Sequence, residues 1–295
     1  MELRVLKYFL TIAEEENITR AAKLLHITQP TLSRQIQQLE DELGVTLFQR
    51  GSHRISLTED GLLLKHRAQE IIDLTEKTFS DFSTAENNLA GKITVGCAET
   101  YNMKTLAELM AKFRAKFPLV TFQIVSGTAD LVTERIEAGL VDVGLLMEPV
   151  DVARYDVLRM PLKERWGAMF KAESPLAQKN FICPRDLLEV PLILPERPLV
   201  QSALKKWLGN KKFYVAATYT LLLNAVFMVE KDLGAALCYD FSRFFPSLKF
   251  VPLCEMPDSG AVLVWKKQKV FSKAARKFIE LCQTEMLAGY QPKLI

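Results

Sequence analysis

Residues 19–43, TRAAKLLHITQPTLSRQIQQLEDEL, constrain this chain more than any other stretch. They divide into two short amphipathic helices joined by a tight turn. The first carries Ala21, Ala22, Leu24 and Leu25. The second carries Leu32, Ile36, Leu39 and Leu43, a 4-3-4 spacing that places all four on one helical face. Thr28 has the side chain of an N-cap, and Pro30 falls in the first turn, where its missing N–H costs nothing. The opposite face holds Thr31, Arg34 and Gln38, with Pro30 and Gln37 beside them. It carries almost no negative charge before Asp41. Such a face suits a helix lying in a DNA major groove, where Arg pairs with guanine and Gln with adenine. Periodicity alone also admits an ordinary surface helix, because helix-turn-helix geometry occurs in proteins that bind no DNA.

The flanking residues narrow the choice. Leu3, Leu6, Phe9, Leu10 and Ala13 share a face over roughly 2–15, which predicts a preceding helix packed beneath the other two. Val45 to Arg50 and Ile55 to Leu57 are short apolar runs around Gly51-Ser-His53-Arg54, the pattern of a β-hairpin wing with a basic tip. Arg50 and Arg54 there can reach phosphates or the minor groove. Thr58 then caps a long helical pattern over 59–88, acidic in its first turn. Leu63, Ile71, Leu74, Thr78 and Phe82 form its stripe, which a lone exposed helix cannot bury.

These residues resemble the N-terminal domain of LysR-type transcriptional regulators. The resemblance is carried by Ala21-Ala22, Gln29-Pro30, Ser33, Leu39-Glu40, Leu43-Gly44, Leu47-Phe48-x-Arg50 and Thr58-x-x-Gly61 at fixed spacing over some sixty residues. Ser174-Pro-Leu-Ala177 also matches a recurring segment of that family. The resemblance implies a winged helix-turn-helix domain over 1–58, a dimerising linker helix over 59–90 and an effector-binding regulatory domain over 91–295. It implies promoter DNA as partner, with Arg20, Thr28, Gln29, Pro30, Thr31, Ser33, Arg34, Gln38, Arg50, His53 and Arg54 facing it. Homodimers through the linker helices, tetramers on extended promoters and a small-molecule co-inducer follow as expectations. RNA polymerase is a further candidate partner, and no cofactor or metal is expected.

Bulk charge adds nothing to the DNA argument. The net charge is +3, and within residues 1–90 acidic side chains outnumber basic ones. Contact must rest on a few placed residues, Arg20, Arg34, Arg50 and Arg54, and on two symmetric subunits that double the counterions released.

Beyond Gly91 the texture changes. Apolar runs at 93–96, 120–125 and 141–146 alternate with helical patterns at 103–117 and 131–138, the rhythm of a parallel α/β sheet. A second set runs through 166–170, 192–194, 201–208, 213–217, 221–231 and 235–239, and the chain returns through 261–265 to a last helix over 272–288. The expected fold is therefore α/β, with two lobes like those of type 2 periplasmic binding proteins. Lobe I covers about 91–162 and 266–295, and lobe II about 163–265. In such sheets ligands bind beyond the carboxyl ends of strands, at helix N-termini. Those ends carry Glu99, Thr100, Tyr101 and Asn102; Ser126 and Thr128; and Thr218 and Thr220. Each can simply cap a helix, and capping is compatible with lining a pocket. By resemblance, Thr100 and Thr128 fall near effector-contacting positions. Glu99 departs from the pattern: a carboxylate at the mouth disfavours a purely anionic effector and favours an amine or amino acid.

Three other functions are weighed. An enzyme is opposed by the three histidines, His26, His53 and His66, all lying in the N-terminal quarter, and by the lack of GxSxG, P-loop or GxGxxG motifs. A periplasmic solute carrier is opposed by the lack of a visible signal peptide. Five cysteines, 97, 183, 238, 254 and 282, are odd in number and lack CxxC spacing, which predicts buried thiols in a reducing cytoplasm rather than a disulfide framework. A redox sensor pairing Cys183, Cys238 or Cys254 remains the third alternative.

Overall fold

The structure, a computed structural model, describes residues 1–50, 55–82, 89–209 and 211–288. The chain divides into two compact units, Met1–Ser83 and Thr84–Ile295.

The first unit runs α1 (Leu3–Glu15), α2 (Ile18–Leu24), α3 (Gln29–Leu43), β1 (Phe48–Arg50), β2 (Ile55–Leu57) and α4 (Glu59–Phe82). Each helix begins or ends on local chemistry. Asn17 Oδ1 accepts the N–H groups of Thr19 and Arg20, both at 3.0 Å, and so opens α2. The Thr28 hydroxyl accepts from Thr31 N–H at the start of α3, and Gly44 closes α3 at φ 70°, a left-handed value that suits glycine. Glu40 in the last turn of α3 then reaches forward: its Oε1 accepts the N–H of Leu47 at 2.6 Å and of Phe48 at 3.3 Å. One carboxylate thus fixes the angle between α3 and the hairpin. Thr58 bonds Thr46 O at 2.7 Å and caps α4 by accepting from Gly61 N–H at 2.9 Å. Gly61 is required there, because a Cβ would stand 2.2 Å from the Leu47 carbonyl oxygen.

The core of this unit joins Val5, Leu6, Phe9, Leu10 and Ile12 to Ala21, Ala22, Leu32, Ile36 and Leu39. The apolar face of α1 is turned from the expected one: Val5 and Ile12 are buried, whereas Leu3 is exposed. Leu24 and Leu43, expected inside, are exposed too, because each sits at a helix end beyond the packed turns. In α4, Ala68 and Ile72 join the core, while Leu62, Leu63, Leu74 and Phe79 stay exposed. The helix is described to Phe82; the expected continuation to 88 lies outside the described residues.

The second unit runs β3 (Gly91–Cys97), α5 (Asn102–Lys116), β4 (Val120–Ser126), α6 (Ala129–Glu137), β5 (Val143–Met147), β6 (Tyr155–Arg159), β7 (Trp166–Lys171), β8 (Leu192–Pro195), α7 (Pro198–Leu208), β9 (Val215–Tyr219), α8 (Leu222–Glu230), β10 (Ala235–Tyr239), β11 (Leu248–Pro252), β12 (Ala261–Lys266) and α9 (Lys273–Leu287). Lobe I is a five-stranded sheet in the order β4-β3-β5-β12-β6, and lobe II another in the order β11-β7-β10-β8-β9.

Neither sheet is wholly parallel, which corrects the sequence expectation. β3 runs parallel to β4 and β5, but β12 is antiparallel to both β5 and β6. In lobe II, β8 is parallel to β9 and β10, while β7 is antiparallel to β10 and β11. The reversal follows from the crossings: a chain that enters and leaves a lobe once each adds strands of the opposite sense. Because β12 pairs inside lobe I, lobe II ends near residue 259 rather than 265. The crossing segments hold each other at Glu164 and Ser259, which exchange backbone hydrogen bonds of 2.8 and 2.9 Å.

The cysteine expectation also needs correction. Cys183 and Cys254 form a disulfide within lobe II, with Cα atoms 5.4 Å apart across 71 residues of sequence. The parallel pairing of Ile182 with Leu253 brings them together, a contact invisible in their spacing. Cys97, Cys238 and Cys282 are buried free thiols. Burial pushes the Cys97 and Cys282 thiols up to about 12.

Candidate functional site

Two regions gather the residues singled out by the sequence. In the first unit, the side of α3 away from Leu32, Ile36 and Leu39 is exposed at Thr28, Gln29, Pro30, Thr31, Arg34 and Gln38. Short bonds order its N-terminal turn: Gln29 Nε2 donates to Ser33 Oγ at 2.9 Å, and the hydroxyls of Thr28 and Thr31 lie 2.7 Å apart. The Arg34 side chain makes no hydrogen bond or ion pair among the described residues. Arg20 is exposed but committed: its guanidinium pairs with Glu15, Nε to Oε2 at 3.1 Å, and also bonds the Glu15 carbonyl. The acid that holds Arg20 was missed because Glu15 belongs to another helix. For Arg50 only the backbone, in β1, is described; His53 and Arg54 lie outside the described residues.

The second region is a cleft between the lobes of the regulatory unit. It encloses about 680 Å³, its solvent-open mouth included. Glu99, Thr128 and Thr220 line it, three of the eight residues expected. Thr128 accepts from Leu131 N–H and caps α6. Glu99 crosses the cleft: its Oε2 accepts the Leu222 N–H, capping α8, whose own N-cap residue Leu221 offers no side-chain bond. The walls add Trp166 and Tyr239, whose rings pack 4.3 Å apart, and Met147, Val200 and Leu222.

The other five expected residues lie off the cavity wall. Thr100 and Asn102 are buried and turned inward: Thr100 donates to Glu164 Oε1, and the Asn102 amide donates to Leu162 O at 2.9 Å and accepts from Leu162 N at 3.1 Å. They anchor the crossing segment to α5. Tyr101 stacks on Phe241 at 4.8 Å with the Arg243 guanidinium 5.1 Å from its ring centre. Ser126 and Thr218 are exposed at strand ends. In a strand successive side chains alternate, so neighbours of a lining residue face away.

Glu164, which the sequence did not mark, is a buried carboxylate at the crossing. Burial raises its pKa, and bonds from Thr100, the Tyr101 N–H and Asn102 oppose that shift. Arg197 was missed as well, although it follows β8 and could have been found by the same strand-end rule. Its side chain is 9 % exposed, and its Nε lies 3.3 Å from Asp130. Its Nη1 donates to Met147 O at 3.3 Å, linking lobe II to lobe I.

Comparison with known proteins covers both units of the chain. The profile described as "Bacterial regulatory helix-turn-helix protein, lysR family" matches residues 3–62, and "LysR substrate binding domain" matches 86–287. The Hca operon transcriptional activator HcaR of Escherichia coli K12 is 28% identical over 297 residues, covering 97% of this chain and 98% of that one. The regulator BsdA of Bacillus subtilis 168 is 38% identical over 143 residues, about half of each chain (48% and 49%). In fold, the crystal structure of full-length CbnR complexed with its target DNA superposes with a TM-score of 0.75 at 23% identity, over 96% of this chain and 99% of that one. HinK of Pseudomonas aeruginosa, a LysR family regulator, gives 0.55 at 26% identity, over 97% and 98%. The chain therefore belongs to the LysR family of helix-turn-helix transcriptional regulators, and it is a regulator rather than an enzyme.

Proposed function

We propose that α3 enters the major groove of promoter DNA and that the occupant of the regulatory cleft sets how the protein holds that DNA. The observation that carries the reading is the exposed Pro30–Arg34–Gln38 side of α3, with Arg34 uncommitted to any partner among the described residues. Arg34 and Gln38 are the base-reading residues. Thr28, Gln29, Thr31 and Ser33 sit at the N-terminal end of α3 and suit phosphate or base contact, with Pro30 as a shape element. Arg20, Arg50, His53 and Arg54 complete the surface by sequence position.

The exposed Leu62, Leu63, Leu74 and Phe79 of α4 support pairing with a second copy through this helix, so that two α3 helices face one pseudo-palindromic site. A homodimer through α4, and a tetramer on an extended promoter, are the assemblies this reading takes. No described helix is long and apolar enough to cross a membrane, and a DNA partner places the protein's work in the cytoplasm. RNA polymerase is the further partner through which such a regulator acts. No cofactor is invoked; the second ligand is a small effector in the cleft lined by Glu99, Thr128 and Thr220. Binding one lobe arrangement better than another is what lets that effector shift the DNA complex.

Selection from randomised duplexes tests this function. Two inverted half-sites about one helical turn apart should be enriched. Enrichment of no sequence would remove the assignment.

A further inference from the structure

The cleft is built for a narrower class of ligand than the family assignment names. Three helix N-termini converge on it: α6 begins at Ala129, α7 at Pro198 and α8 at Leu222, and residues at all three starts line the cavity. Helix N-termini favour negative charge. One of the three is already taken, because the Glu99 carboxylate caps α8. A second anion beside Glu99 would meet like charge.

Of the two N-termini that remain, α6 is capped by the Thr128 side chain, and α7 is preceded by a cation, Arg197. It is nine-tenths buried, with a side chain 9 % exposed. Two of its three guanidinium nitrogens are engaged, Nε by Asp130 and Nη1 by Met147 O. Nη2 is buried and has no hydrogen-bond partner. A buried donor left unmade is costly, and a charged one more so. The balancing acid, Asp130, is 60 % exposed and therefore screened by water. Arg197 lines the cavity, so an acid entering the cleft is offered a cationic side chain that still has an unfilled donor. Glu99, contributed by lobe I to the same cavity, offers acceptor capacity beyond the single bond from Leu222 N–H. Between them the walls are apolar and aromatic, at Met147, Trp166, Val200, Leu222 and Tyr239.

We propose that the cleft takes a small monocarboxylic acid with an apolar body and one hydrogen-bond donor, a hydroxyl or ammonium group, its carboxylate held by Arg197 and its donor by Glu99. This rests on the cleft being the effector site. Arg197 selects for one acid group, and Glu99 selects against two.

Calorimetry on the purified full-length protein tests it, with two matched series. One is phenylacetate, mandelate, phenylglycine, mandelamide and phenylsuccinate. The other is 4-methylpentanoate, its 2-hydroxy acid, leucine, the 2-hydroxy amide and isobutylsuccinate. In at least one series the hydroxy or amino acid should bind roughly 10- to 100-fold tighter than its amide, the worth of a charge-assisted bond. It should also bind tighter than the plain acid and the dicarboxylate. Arg197→Met should bring the acid down to its amide. Glu99→Met, which removes both the charge and the acceptor, should erase the preference for the donor and admit the dicarboxylate. The wild-type comparison of acid with amide needs no variant, so a misfolded Arg197→Met leaves the test intact. The proposal is overturned if amides or dicarboxylates bind as well as the substituted monoacids, if both preferences survive in both variants, or if no acid binds. Thr220→Trp, which plugs the cavity wall, separates the two levels of failure. If it leaves binding intact, the cleft is not the effector site; if it abolishes binding of a ligand with the wrong selectivity, only the ligand class is wrong.

Discussion

Glu40 makes no contact with the proposed DNA surface, yet its loss should weaken DNA binding. Its Oε1 receives the N–H groups of Leu47, at 2.6 Å, and Phe48, at 3.3 Å, where the chain leaves α3 for the hairpin. Its own carbonyl accepts from Gly44 and Val45 at 2.8 and 3.2 Å, so the side chain completes a turn the backbone has begun. Leu47 is fully buried, so its N–H takes the carboxylate and not water as its partner. Hydrogen bonds to a charged group contribute roughly 1.5–3 kcal/mol each. Both go to one oxygen, so Glu40→Ala should cost about 2–4 kcal/mol. Glu40→Gln keeps the acceptor and loses only the charge, about 1 kcal/mol.

The tryptophans make this measurable in the intact chain. All three, Trp166, Trp207 and Trp265, lie in the regulatory unit. Their fluorescence follows that unit alone, while helical circular dichroism follows both. In urea, Glu40→Ala should move the part of the dichroism transition that fluorescence does not share, and leave the fluorescence midpoint in place. Operator affinity should fall with it, since the hairpin is no longer held at a fixed angle to α3. If alanine costs less than about 0.5 kcal/mol, or no more than glutamine does, the carboxylate does not set that angle.

Other expectations follow from the regulatory unit. Native oxidised protein should show no thiol reactive toward a disulfide reagent, three after unfolding without reductant, and all five after reduction. Reduction opens a 71-residue separation, worth about 4 kcal/mol of loop entropy, and should lower the melting temperature of this unit by roughly 10 °C. Glu164 has a folded-state pKa raised by burial, so the folded state holds its proton more tightly than the unfolded chain does. Its contribution is full below the ordinary carboxylate range and is lost as pH rises through the raised value. The fluorescence-monitored stability of wild type should therefore fall across that window relative to Glu164→Gln, and parallel curves would exclude the effect.

The N-terminal unit was more legible in sequence than the regulatory one. Its helices are short, their apolar residues repeat at helical spacing, and Thr28, Gly44 and Thr58 mark the boundaries by chemistry that acts within four residues. Leu3, Leu24 and Leu43 were misplaced because periodicity does not say where packing stops along a face. In the regulatory unit the helices and most strands were visible, but β6 and β11 were not. Strand direction was misread because it depends on which lobe a distant segment rejoins. The Cys183–Cys254 bond and the Asn102–Leu162 and Glu164–Thr100 contacts join residues 60 or more apart, where no local pattern operates. The strand-end rule leads to Glu99, Thr128 and Thr220, but, applied beyond β3, β4 and β9 only, it passes over Arg197 beyond β8. It also took in Thr100 and Asn102, whose polar groups serve the crossing between lobes.

The central claim is that the outer side of α3 reads bases in the major groove. Methylation interference on the selected operator tests it most directly, because N7 methylation blocks the edge of guanine that an arginine fork grips. Wild type should lose binding when a guanine in either half-site is methylated. Arg34→Ala should bind about 1–3 kcal/mol more weakly per lost contact and become indifferent to methylation at that guanine. Interference that is identical in wild type and Arg34→Ala would contradict the placement of α3 on DNA.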